Sequence, residues 1–135
     1  MLDALRSGWR IGVLTNGIPA VQRRKVAALG LGGHVDAIVF ASECGDRTGK
    51  PDRAAFRAVL DRLAVSPERS VFVGDDLETD VFGAWRVGMR TIHVIGGRRP
   101  IRHAAVAPDV RVDRLRAVPA VAAQLVQGGC CVGSI

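Results

Sequence analysis

The sequence predicts an α/β domain, a three-layer, Rossmann-like parallel sheet flanked by helices. Short apolar runs that fit buried strands lie at residues 10–15, 35–41, 70–74 and 91–95. Segments whose apolar residues recur at helical spacing separate these runs, at residues 19–29, 51–63 and 80–87. Because strands and helices alternate over short connections, we expect parallel strands joined by helical crossovers.

Local signals place the elements along the chain. Gly30 and Gly88 follow two of the helical segments, as helix-ending glycines do, and Pro51 suits the first turn of the segment 51–63. That segment is the most amphipathic, with an inward face expected at Ala55, Phe56, Val59, Leu60 and Leu63. The first helix has a weaker apolar face at Val21, Val26, Ala28 and Leu29.

The C-terminal third predicts less regular structure. Residues 109–112 fit a short edge strand. Residues 114–127 fit a last helix, with an inward face at Leu115, Val118, Val121, Ala122 and Leu125. We expect residues 1–127 to form one core domain and the glycine-rich tail at residues 128–135 to be disordered.

Composition excludes several classes of function. No apolar stretch approaches the roughly 20 residues that span a bilayer, and the N-terminal residues lack the pattern of a secretory signal. We therefore expect a cytoplasmic protein without membrane contact. The net charge of +6 comes from scattered basic residues. The one basic run, at Arg98, Arg99, Arg102 and His103, lacks aromatic residues that stack on bases, so no nucleic-acid partner is predicted.

The remaining cysteine, histidine and tryptophan residues suggest no site. Cys44, Cys130 and Cys131 lack the paired spacing of a zinc site, and a bridge between adjacent cysteines would be strained. The three histidines lack the spacing of metal ligands, and His93 within an apolar strand fits a core or edge position. Trp9 and Trp85 fit packing positions where a helix meets the sheet.

Three loops that follow predicted strands carry chemically useful residues. Thr15, Asn16 and Gly17 offer a hydroxyl, an amide and backbone N–H groups before a helix, which suits an oxyanion or phosphate. Lys50 precedes the second helix. The cluster Asp75, Asp76 and Asp80 follows the third strand, and such like charges usually need a cation to compensate them.

These loops should meet, because ligands bind at the carboxyl ends of parallel strands. Taken singly, Asn16-Gly17 is usually a turn and a lone lysine is usually a solvated charge. Taken in this order, the residues would form one pocket. It would hold phosphate at Thr15, Asn16 and Lys50 and magnesium at Asp75.

The stretches L-T-N-G, G-K-P-D-R-A-A-F and V-F-V-G-D-D-L-E-T-D-V-F-G-A-W-R-V-G-M-R-T-I resemble motifs II, III and IV of the haloacid dehalogenase superfamily. The resemblance extends from about residue 2 to residue 125. It implies a magnesium-dependent phosphohydrolase that acts through an aspartyl-phosphate on a small phosphorylated metabolite. It further implies the following roles: catalysis by Thr15, Lys50 and Asp80, phosphate binding by Thr15, Asn16, Gly17 and Lys50, and Mg²⁺ binding by Asp75 and Asp76.

One motif of that superfamily has no counterpart. Its D-x-D-x-T motif supplies the nucleophilic aspartate on a central strand, and Asp3, within a predicted helix, is no substitute. We expect a gap between the strands that end at Thr15 and Gly74. Two explanations are open. The chain is a fragment, and an upstream segment carries the nucleophile and the cap that selects the substrate. Alternatively, the chain closes the gap in the sheet by repacking or by borrowing a strand from a second copy or another partner. An upstream reading frame without an Asp-x-Asp strand would contradict the fragment hypothesis.

Two functions of different classes follow. The chain is either the larger part of a phosphohydrolase core, which we favour although the truncated chain could be inactive, or a non-catalytic module that keeps the phosphate and metal pocket. A receiver domain fits poorly, because its acidic pair comes first along the chain and its lysine last. Dehalogenase activity within the same superfamily also fits less well, since the acidic cluster favours phosphate chemistry with magnesium.

Overall fold

The computed structural model describes residues 2–96 and 105–135, and the basic run at residues 98–103 lies outside them. The strands of the described residues form one fully parallel sheet in the order β2-β1-β6-β3-β4-β5. They are β1 (Trp9–Thr15), β2 (Ala37–Phe40), β3 (Ser70–Gly74), β4 (Arg90–Val94), β5 (Val110–Val112) and β6 (Gly129–Gly133). The α/β class is confirmed.

Helices flank both faces of this sheet. They are α1 (Leu2–Leu5), α2 (Pro19–Ala28), α3 (Arg53–Leu63), α4 (Phe82–Arg86) and α5 (Val118–Leu125). One core cluster lies under α3 and α4 and the other under α1 and α5. None of the helices in the described ranges is long and apolar enough to cross a membrane.

The helix α3 confirms its predicted inward face, since Ala55, Phe56, Val59, Leu60 and Leu63 are all buried. Burial of such side chains contributes about 1.5 to 3 kcal/mol for each large apolar residue. The helix begins two residues after Pro51, because the Asp52 carboxylate accepts a hydrogen bond from the Ala54 N–H at 3.0 Å and caps the first turn.

The predicted face of the first helix is wrong, since no residue of α2 is buried and Val21 is 53% exposed. The predicted face of the last helix is confirmed in α5, where Val118 and Ala122 are buried and Val121 and Leu125 pack against the same core cluster. It is wrong only at Leu115, which lies in a short 3₁₀ turn (Leu115–Ala117) before α5 and is 52% exposed. Trp85, expected to pack against the sheet, is also exposed and stacks on Phe82.

The tail forms the centre of the sheet. Disorder was expected for residues 128–135, and this is wrong, because residues 129–133 form β6 between β1 and β3. The expected gap is therefore filled from within the chain. A strand in this place satisfies the backbone groups of both neighbours, which would otherwise remain unpaired inside the sheet. Gly129 suits its start, since a Cβ there would collide with the Arg69 carbonyl oxygen.

The adjacent cysteines of β6 point to opposite faces of the sheet, as successive strand residues do. Cys130 packs in the α3 cluster and Cys131 in the α5 cluster. Burial raises the pKa of each thiol to about 12. Both side chains therefore pack as small apolar groups, and neither is expected to react as a thiolate.

Thiol labelling tests the position of β6. In the native protein, a maleimide should label Cys44, which is partly exposed, much faster than Cys130 or Cys131, and urea should make all three thiols react. Mass spectrometry of the labelled chain would measure this. In a Cys44→Ser control, rapid native labelling should disappear. Labelling of Cys130 and Cys131 at the rate of Cys44 would show that β6 is not formed.

Candidate active site

The carboxyl edge of the sheet brings the predicted residues together. Thr15 ends β1, Asp75 follows directly after β3, and Lys50 lies in the loop between β2 and α3. The side chain of Lys50 crosses to the sheet, where its Nζ lies 3.4 Å from the Leu14 carbonyl oxygen. The convergence expected from the order of the motifs is present in the structure.

A buried ion pair joins Lys50 and Asp80. The Lys50 Nζ donates to Asp80 Oδ1 at 2.7 Å, and both side chains are almost fully buried. The Phe72 ring lies 5.9 Å below the ammonium group. Burial raises the pKa of the Asp80 carboxyl, while the Lys50 ammonium opposes that shift. A buried pair of this kind is expensive to form, and breaking it would leave an unpaired charge.

The segment after β3 positions the Asp80 carboxylate beside Lys50. A π-helical turn (Leu77–Val81) is capped by Asp76, whose Oδ1 accepts from the N–H groups of Glu78 and Thr79, each at 2.9 Å. The turn brings the Asp80 carboxylate back to the end of β3, where Oδ2 accepts from the Asp76 N–H at 3.3 Å. Gly74 is required here, since a Cβ would collide with that carboxylate.

Asn16 holds the lysine loop in place. Its Oδ1 accepts from the Lys50 N–H at 2.7 Å, and its Nδ2 donates to the Lys50 carbonyl oxygen at 3.3 Å. The Asn16 amide therefore positions Lys50 in this structure. The Thr15 hydroxyl donates to Gln22 Oε1 at 2.9 Å, and the Gly17 carbonyl oxygen accepts from the Ser42 hydroxyl. Phosphate binding by Thr15, Asn16 and Gly17 stays a prediction.

Asp75 suits one ligand of a magnesium ion. Its side chain is exposed at the pocket edge, and its carbonyl oxygen lies 3.1 Å from His93 Nε2. Mg²⁺ is commonly held by one or two carboxylates, several waters and substrate phosphate, so Asp75 fits this donor set. In the described ranges, no three His, Cys, Asp or Glu side chains form a closed metal cluster. Metal binding by Asp75 and Asp76 therefore stays a prediction.

Sequence reasoning missed three residues near this site. Gln22 contacts Thr15, His93 contacts the backbone of Asp75, and the Ser134 hydroxyl accepts from Lys50 Nζ at 2.6 Å. Helical spacing brings Gln22 to Thr15, and strand alternation points His93 toward the Asp75 loop, so both left a signal. Ser134 left none, because β6 was not predicted.

Comparison with known proteins identifies the family. A model of haloacid dehalogenase-like hydrolases matches residues 1–88. The chain belongs to the haloacid dehalogenase-like hydrolases. Two phosphatases are among its relatives. Phosphoserine phosphatase from Thermus thermophilus is 39% identical over 118 residues, covering 87% of this chain and 46% of that protein. Glyceraldehyde 3-phosphate phosphatase from Methanothermobacter thermautotrophicus is 37% identical over 94 residues, covering 70% and 41%.

A solved structure of the same family supports the fold. The haloacid dehalogenase hydrolase YfnB from Bacillus subtilis, crystallised with magnesium, superposes with a TM-score of 0.78 at 21% identity. The match covers 90% of this chain and 52% of that one. The chain thus spans about half the length of the relatives it matches.

Breaking the buried pair should destabilise the fold, because it leaves one charge buried without a partner. Asp80→Asn removes the negative charge beside Lys50 and should cost about 3 to 5 kcal/mol of unfolding free energy. Asp61→Asn, on the exposed face of α3, is the matched control and should change it by less than about 0.5 kcal/mol. Urea unfolding at neutral pH would measure both.

The Lys50→Met variant adds a pH dependence to this test. In this variant burial still raises the pKa of the unpaired Asp80 carboxyl in the folded state. Protonation of this carboxyl therefore stabilises the fold fully below about pH 4, and the stabilisation is lost as the pH rises through the folded pKa. Lys50→Met should therefore lower the free energy of unfolding more at neutral than at acidic pH. The double variant, Lys50→Met with Asp80→Asn, should lower the free energy of unfolding by less than the sum of the two single changes. Simple additivity would contradict a coupled pair.

Proposed function

We propose that this chain forms the phosphate-binding core of a magnesium-dependent phosphohydrolase that acts on a small phosphorylated metabolite. The observation that carries the proposal is the Lys50 ammonium, buried at the carboxyl edge of the sheet beside the Leu14 carbonyl oxygen and the Asp80 carboxylate. A fixed cation in a site of low polarity is the feature that stabilises the negative charge of a transferring phosphoryl group. The relatives named above are phosphatases of such small phosphate esters.

The residues divide the work on a bound phosphate. The Thr15 hydroxyl would donate to a phosphate oxygen by rotating away from Gln22, which lies 2.9 Å away. Lys50 would provide the positive charge, held in place by Asp80 and by the Asn16 amide. Asp75 would ligate Mg²⁺, and that ion, when bound, neutralises phosphate charge and polarises the phosphorus–oxygen bond. Asp76 supports the metal by fixing the turn that follows Asp75.

A second candidate has an observation of its own. The central strand, β6, carries no carboxylate, and the residue directly after it, Ser134, is the one that contacts Lys50. Hydrolysis through an aspartyl-phosphate requires a carboxylate nucleophile in contact with the phosphate. The same pocket without that nucleophile would act as a phosphate and metal binding module. The cytoplasmic location and the homo-oligomer or strand-completing partner expected from the sequence remain predictions.

Magnesium binding and turnover separate the two candidates. Titration calorimetry of the chain with Mg²⁺ in the presence of inorganic phosphate should give a binding signal. Asp75→Asn should weaken that binding by about 10-fold or more. Asp61→Asn, an exposed acid on α3, should leave it unchanged. Equal binding by wild type and Asp75→Asn would contradict the proposed metal site.

The same samples should be assayed with p-nitrophenyl phosphate. Turnover that is lost in Asp75→Asn supports the phosphohydrolase, and binding of Mg²⁺ and phosphate without turnover supports the binding module. If neither binding nor turnover is observed, both candidates are wrong.

A further inference from the structure

His93 is a buried histidine that contacts the loop carrying Asp75. It lies in β4, opposite Gly74 in the parallel pair with β3, and it is only 5% exposed. Side chains in a strand lean along the strand direction, so a ring at position 93 can reach the residue that follows Gly74. Its Nε2 lies 3.1 Å from the Asp75 carbonyl oxygen. The histidine therefore joins β4 to the loop that carries the proposed metal ligand.

The chemistry of this contact places the proton of the ring. A carbonyl oxygen only accepts hydrogen bonds, so Nε2 of His93 carries the proton that it donates to Asp75. In the neutral ring Nδ1 is then an acceptor, and among the residues that the structure describes it has no hydrogen-bond partner. A buried polar atom without a partner costs stability. Packing alone would thus favour an apolar ring here, and the Nε2–H contact is what histidine adds.

The peptide group that accepts from His93 is also held at its other end. The carbonyl oxygen of Asp75 and the N–H of Asp76 belong to one planar unit. The Asp76 N–H donates to Asp80 Oδ2 at 3.3 Å, and the other oxygen of that carboxylate accepts from Lys50. Two contacts at opposite ends of a planar group fix its orientation. They thereby fix the direction in which the backbone of Asp75 projects its exposed carboxylate.

We infer that His93 is a positioning residue for magnesium. Its Nε2–H holds the peptide between Asp75 and Asp76 so that the Asp75 carboxylate is presented to the ion. The inference rests on the proposed function, because it takes Asp75 as a metal ligand. His93 acts through this ligand and contacts neither the metal nor the phosphate. Removing a group that orients a metal ligand typically lowers metal affinity by about 10- to 100-fold.

Three variants of the full chain separate positioning from packing. His93→Phe keeps a ring and removes the donor, so it should weaken Mg²⁺ binding, measured by calorimetry with inorganic phosphate, by about 10-fold. His93→Gln offers an amide N–H at a similar reach and should restore most of the affinity. Thr91→Val is the matched control, because Thr91 is also buried in β4 but bonds to Asp109 instead of the Asp75 loop. It should bind Mg²⁺ like wild type.

A double variant and the ring proton complete the test. His93→Phe combined with Asp75→Asn should bind Mg²⁺ no more weakly than Asp75→Asn alone, because His93 acts through Asp75. Nitrogen-15 NMR of the metal-free wild type should place a proton on His93 Nε2. That measurement needs no variant, so it tests the contact even if His93→Phe fails to fold.

The outcomes distinguish a failure of this inference from a failure of the proposed function. Four results would overturn the role of His93: wild-type affinity in His93→Phe, equal losses in His93→Gln or Thr91→Val, additive losses in the double variant, or a ring proton on Nδ1 alone. The proposed function stands in each case if Asp75→Asn still weakens Mg²⁺ binding. Binding that Asp75→Asn leaves unchanged would overturn the proposed metal site, and the role of His93 with it.

Discussion

The structure depends on the strand between β1 and β3. Those two strands carry Thr15 and the Asp75 loop, and without β6 each would present a row of unpaired backbone groups to the other. The pairing of β6 with both fixes their separation and their register. Backbone hydrogen bonds in the centre of the sheet therefore set the distance between the ends of β1 and β3. The loops that follow these two strands, which form the candidate site, are spaced accordingly.

A second constraint acts within this frame. Lys50 and Asp80 are both buried, and two charges removed from water are stable only when each satisfies the other and the remaining polar atoms find partners. The Lys50 ammonium finds three such partners, at Leu14, Asp80 and Ser134. Asp80 gains the Asp76 N–H as well. The pair is therefore better explained as a device that holds a cation in one place than as a source of stability.

The sequence predicted the parts whose residues carry strong local signals. The segments of β1 and β3 are short, apolar and followed by polar loops, which favours strands. The segment of α3 is longer and has five apolar residues at helical spacing on one face, which favours a helix. The meeting of Thr15, Lys50 and Asp80 followed from parallel strands, whose carboxyl ends share one edge. The α2 face failed because its apolar residues are few and none is covered by the sheet.

The central strand could not be predicted from local signals. Residues 129–133 contain two glycines and two cysteines, and glycine is depleted in strands, so neither propensity nor alternation favoured a strand there. Its position is decided by the unpaired edges of β1 and β3, which are remote in sequence. The contacts of Ser134 were hidden for the same reason, and the hydrogen bonds of the Asn16 amide to Lys50 could not be predicted because the path of the Lys50 loop was unknown.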